Sequence, residues 1–138
     1  MNFTIDSILL YSIVGAVILI YLPYLVVAYG RAQVGYDMSA PRAMFDKLPS
    51  YAQRATWAHQ NSFEAFMIYA AAALMAYTTG VDSTLAAKVA IAFLVARALY
   101  SIFYILNIPL GRSLMFGIGS FSSFTLFGLS LIHINQNL

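Results

Sequence analysis

Apolar residues fill the chain in long blocks, and polar residues collect in the gaps between them. From Ser7 to Gly30 no side chain carries a formal charge, and Ser113 to Leu138 is likewise uncharged with His133 neutral. Each run exceeds the roughly 20 residues that cross a bilayer core as a helix. The pattern predicts four spans, at about 8–29, 51–77, 85–106 and 112–134. Pro23 falls inside the first and can kink it, which membrane helices tolerate when neighbours satisfy the freed carbonyl. The start of the second is signalled by Pro49, which closes the loop before it. Ser50, with Gln53 three residues on, reads there as a capping box.

Between the first two spans lies a polar segment containing Gly35, Asp37, Pro41, Asp46 and Pro49, all loop and turn residues. Ser39-Ala40-Pro41 can open one helical turn over Arg42 to Phe45. The other connections, Thr78 to Thr84 and Asn107 to Gly111, are short, so successive helices run antiparallel. The expected fold is an all-α membrane protein, a single domain over 1–138 with four transmembrane helices in an up-down bundle. Arg31, Arg42, Lys47, Arg54 and Arg112 lie on one side of the membrane in this arrangement, and Lys88 on the other. The excess of basic residues marks the cytoplasmic side, which places both termini on the non-cytoplasmic side. Tyr21, Tyr24 and Tyr29 fit an interfacial belt.

Composition agrees with a membrane protein: 62% of residues are apolar and 9% charged, against roughly 25% charged in soluble domains. The chain has no cysteine, which excludes disulfides, thiolate metal sites and a cysteine nucleophile. Any thiol chemistry must use a thiol brought by a ligand. The net charge of +2 comes from scattered basic residues, not the clustered patch that nucleic acid requires, so no nucleic-acid partner is expected. His59 and His133 lie far apart, giving no metal-ligand spacing. Met1 to Ser7 lacks Lys and Arg, and the run behind it is too long for a signal-peptide core. Asn2-Phe3-Thr4 matches a glycosylation acceptor pattern.

The polar residues inside the predicted spans carry the chemistry. A carboxylate in hydrocarbon costs at least a few kcal/mol even on lenient scales, so Glu64 needs a partner or a watery cavity. Arg97 is the other ionisable group well inside a span. At ~1.5 Å per residue the two lie about 20 and 15 Å from the same membrane face, close enough to form an ion pair between neighbouring helices. On a helical wheel Arg54, Trp57, Asn61 and Glu64 fall within about 80° of one another, as do Arg97, Tyr100 and Tyr104 on the third span. The two stripes predict a polar cleft. His59 points away from Asn61 and is assigned to packing or the interface. Buried polar residues can simply glue helices together, but a carboxylate, an arginine and their convergent neighbours point to a site.

Two motifs resemble the family of membrane-associated proteins in eicosanoid and glutathione metabolism, MAPEG. "AHQNSFE", Ala58 to Glu64, is similar to its A-H-x-N-x-x-E on the second helix. "RALYSIFYILNIPLGRS", Arg97 to Ser113, is similar to its R-x-x-(H/Y)-x-x-x-Y followed by an arginine before the fourth helix. Span count and loop order extend the likeness over nearly the whole chain. The resemblance implies a homotrimer with glutathione, as co-substrate, bound between protomers near the cytoplasmic face. It implies that Asn61 and Glu64 hold the tripeptide, that Tyr100 and Tyr104 line it beside Arg97, and that Arg31 reaches its carboxylates. Arg112 is implied to stabilise the thiolate, with Ser113 as a hydrogen-bond donor. Many members carry an arginine where this chain has Trp57, and Arg54 one turn away is the nearest basic residue.

The implied function is a membrane-bound glutathione S-transferase or peroxidase, with the lipophilic co-substrate arriving from the bilayer. A free thiol is mostly protonated at neutral pH. The permanent charge of Arg112 and a helix N-terminus would supply the positive potential that favours thiolate. Two alternatives use the same cleft: a small transporter with Glu64 as a proton-coupled carboxylate, and a non-catalytic glutathione-binding protein.

Overall fold

A computed structural model describes residues 3–138; Asn2 of the acceptor pattern lies outside the described residues. Four α-helices carry the fold: α1, Ile5–Gln33; α2, Ser50–Thr78; α3, Thr84–Ile105; and α4, Pro109–Gln136. A short 3₁₀ helix, Pro41–Lys47, sits in the first connection where one helical turn is expected. The helices extend beyond most of the predicted span limits, because helical hydrogen bonding continues into polar flanks that hydropathy does not register. α1 runs unbroken through the buried Pro23.

The local chemistry of the ends explains most boundaries. Thr4 caps α1 by accepting a hydrogen bond from the Ser7 amide at 3.2 Å, and Ser83 caps α3 through the Leu85 amide at 3.2 Å. The capping box expected at Ser50 does not form. Pro49, extended at φ −55° and ψ 151°, takes the cap position and Ser50 becomes the first helical residue. Its hydroxyl is therefore one residue too late to cap. Gln53 instead donates its side-chain amide to the Phe45 carbonyl at 3.2 Å, tying α2 to the 3₁₀ helix. The turn between α3 and α4 is tight. Asn107 adopts a left-handed conformation at φ 59°, the Ile108 amide closes onto the Phe103 carbonyl at 2.8 Å, and Pro109 starts α4 with its fixed φ.

α2 and α3 form the middle of the bundle, and each packs against both outer helices. Small residues let α1 and α2 approach: a Cβ added at Gly30 would stand 2.5 Å from the Ala52 Cβ. Ala72, Ala73 and Ala76 of α2 lie fully buried in the main core. In the same core Tyr69 stacks on Phe93 with ring centroids 3.7 Å apart. Its hydroxyl meets that of Ser12 at 2.5 Å, so the one polar atom of that ring is satisfied. A second cluster, Val27, Leu48, Ala52 and Ala55, closes the opposite end of the α1–α2 pair.

The outer surface is oily. Phe121, Phe124, Leu25 and Leu131 are each more than half exposed, which is the solvent preference of lipid rather than water. Three helices, α1, α3 and α4, are long and apolar enough to cross a membrane. α2 matches α1 in length at 29 residues, yet it is not among the three. Arg54, His59, Gln60, Asn61 and Glu64 dilute its apolar content. Composition alone therefore marks three membrane spans, not the expected four.

Candidate functional site

The polar stripes of α2 and α3 do meet. Arg97 is 4% exposed, and its Nη2 donates to Asn61 Oδ1 at 3.1 Å and to Ser62 Oγ at 3.2 Å. The guanidinium also lies over the Tyr100 ring, 4.0 Å from its centroid, a favourable position for a desolvated cation. Asn61 in turn donates its side-chain amide to Glu64 Oε2 at 3.3 Å. The direct ion pair expected between Glu64 and Arg97 is not formed among the described residues. Asn61 stands between them and links acid to base. Asn61 is half-buried in contact with Arg97, while Glu64 is exposed.

This relay fixes the Asn61 amide. Its oxygen must face the arginine, because Arg97 has only donors, and its NH₂ is left to donate to the Glu64 carboxyl oxygen. Glu64 keeps acceptor capacity toward the open cleft, which suits a ligand amine. Ser62, absent from the residues proposed on sequence, serves Arg97 and returns its own proton to the Ala58 carbonyl at 2.8 Å. Its signal was its place inside the "AHQNSFE" motif, one residue round the helix from Asn61.

The tight α3–α4 turn brings Arg112, in the first turns of α4, back over α3. Its guanidinium sits 4.5 Å from the Tyr104 ring centroid. Tyr104 meets Tyr100 edge-on at 5.6 Å and faces Trp57 at 6.3 Å. Asn61, Tyr100, Tyr104, Arg112, Ser113 and Phe116 line a hollow of about 280 Å³. Beside it a second hollow, about 400 Å³, is lined by Trp57, Gln60, Asn61, Glu64, Tyr100 and Tyr104. Seven of the nine proposed site residues thus lie on or against this side of the bundle: Asn61, Glu64, Arg97, Tyr100, Tyr104, Arg112 and Ser113.

Arg54 and Arg31 are placed differently. Arg54 Nε donates to the Ile105 carbonyl at 2.9 Å, where a cation offsets the negative end of the α3 dipole. Arg31 lines a separate cavity of about 590 Å³ with Tyr24, Arg42, His59 and Gln60. Among the described residues its buried Nε has no hydrogen-bond partner. His59 belongs to that side, as its wheel position implies, with Nδ1 2.7 Å from the Ile20 carbonyl and its ring among Tyr21, Tyr24 and Phe63.

An oily bundle whose polar cleft holds an arginine–asparagine–glutamate relay, buried at its arginine end, defines an integral membrane protein. The family model that matches the sequence is that of the MAPEG family, over residues 8–132. The chain belongs to the MAPEG family. No curated protein and no solved structure matches it.

Proposed function

We propose that this chain is a membrane-bound, glutathione-dependent transferase or peroxidase built from four transmembrane helices and assembled as a homotrimer, with both termini on the non-cytoplasmic side. The observation that carries this reading is the junction of two devices at Asn61: the Arg97–Asn61–Glu64 relay, buried at its arginine end, and the hollow holding Arg112 and Ser113. The relay would bind the tripeptide's amine end through Glu64, between the rings of Tyr100 and Tyr104. The thiol would then rest near Arg112 and Ser113, where a permanent charge and a hydroxyl donor favour the thiolate. The thiolate sulfur bonds to the carbon of a lipophilic electrophile that enters from the bilayer, which expels its leaving group or takes up a proton; with a hydroperoxide the sulfur takes the terminal oxygen, releasing the alcohol, and a second glutathione thiol then displaces water to give the disulfide.

Two features support assembly. Glu64 lies near the middle of α2 and is exposed in a single protomer; bare to lipid, that carboxylate would cost at least a few kcal/mol. The Arg31 cavity opens on another face of the bundle, so Arg31 would reach the same ligand from a neighbouring copy. Arg54 would act at the edge of the site while bracing α3.

The test is glutathione titration of the purified protein in detergent, followed by thiolate absorbance across pH. In the Arg112→Ala variant the bound thiol's pKa should rise toward the free value near 8.5. An unchanged thiolate profile would remove Arg112 from this role, and absence of glutathione binding to the unaltered protein would remove the reading itself.

A further inference from the structure

Inward from Asn61 and Arg97 the cleft continues between α2, α3 and α4 into a chamber of about 150 Å³. Its walls include Ala65 and Ile68 of α2, Phe93 of α3, and Phe116, Ser120 and Phe124 of α4. Most polar groups on it are already engaged within the protein. Arg97 is held by Asn61 and Ser62, and the Ser123 hydroxyl donates to the Gly119 carbonyl at 3.3 Å. What remains for a guest is a mainly apolar, phenylalanine-rich surface, with the Ser120 hydroxyl on one wall and the Glu64 carboxylate where the chamber meets the cleft. A volume of about this size is enough for a benzene-sized molecule. Phenylalanine edges and faces favour an aromatic guest over an aliphatic one.

Position gives the chamber a use. It shares Asn61 and Phe116 with the hollow of Arg112 and Ser113, so a guest seated in it lies next to the place assigned to the thiol. Ile68 and Phe124 are at least half exposed, so the chamber borders the protomer's apolar outer surface. We propose that this chamber seats the reactive head of the electrophile and limits that head to a compact, neutral, single aromatic ring. The role as electrophile seat rests on the glutathione reading above; the ring-sized binding site does not. Gly119 keeps the space open. A Cβ there would make ordinary contacts, 3.5 Å to Arg97 Cδ and 3.8 Å to the Phe93 ring, so alanine fits and a longer side chain must occupy the chamber.

The experiment is ¹⁹F NMR of fluorobenzene with the full-length protein in micelles, without glutathione and with empty micelles subtracted. Fluorobenzene should bind saturably, and Gly119→Leu should weaken it at least tenfold while Gly119→Ala leaves it near the original value. Ser120→Phe fills the chamber from another wall and should act like Gly119→Leu; it decides the question if the leucine variant loses its helical circular dichroism. 4-Fluorobiphenyl should show micelle partitioning alone. Equal fluorobenzene binding by a folded filled variant, or saturable biphenyl binding, would overturn the proposal. Fluorobenzene binding by a protein that does not bind glutathione would keep the ring site and overturn its role as electrophile seat.

Discussion

Replacing Asn61 and Arg97 separately and together tests whether the relay is a coupled unit. Arg97 is almost wholly buried and has two side-chain acceptors, Asn61 Oδ1 and Ser62 Oγ. Asn61→Ala takes away one acceptor from a buried cation, and a hydrogen bond to a charged group is worth about 1.5–3 kcal/mol. Since Ser62 remains, the lower part of that range, about 1.5–2 kcal/mol, is expected. Arg97→Met removes both bonds and the contact with Tyr100, but it also removes the cost of burying a charge, so its net effect should be smaller than the contact list suggests. In the methionine background Asn61→Ala no longer strands a cation. It forfeits only the 3.3 Å bond to the exposed Glu64, a loss of roughly 0.5 kcal/mol. The difference between the two backgrounds predicts a coupling energy of about 1–1.5 kcal/mol. Reversible unfolding in mixed micelles, followed by helical circular dichroism, measures all four corners of the cycle. Losses that add to within about 0.5 kcal/mol would refute the relay as an energetic unit.

Two further substitutions probe the frame that holds the site. Gly30→Ala forces a Cβ to 2.5 Å from that of Ala52, so thermal unfolding should show a loss of about 1–3 kcal/mol, whereas Gly117→Ala, with open space around it, should gain up to about 1 kcal/mol. Tyr69→Phe keeps the stack on Phe93 but loses the hydroxyl contact with Ser12, and the same unfolding assay should register a loss of about 1 kcal/mol.

Much of the fold was legible because its causes are local in the chain. Long apolar runs, two of them uncharged, announced three helices as membrane spans. Pro49 and the short connections Thr78 to Thr84 and Asn107 to Gly111 marked where helices stop or start. One expectation failed for a reason that is also local. Ser50 and Gln53 fit a capping box by spacing, but Pro49 moved the helix start by one residue and redirected Gln53 to Phe45. The second helix differs from the other three in its polar stripe, so composition alone does not mark it as a span.

By itself the sequence determined that Asn61, Glu64, Arg97, Tyr100 and Tyr104 lie on facing stripes, because helical periodicity assigns every residue a direction. It could not decide who bonds whom. A wheel resolves direction to tens of degrees, while a hydrogen bond is made or lost over a few tenths of an ångström. That choice depends on how closely α2, α3 and α4 pack and on which rotamers the packing leaves free. Tertiary structure therefore decided that Asn61 stands between acid and base, that Ser62 joins them, and that Arg54 braces α3. It also set Arg31 in a cavity apart from the relay, since a residue on α1 can be brought to α2 only by the way the helices fold together.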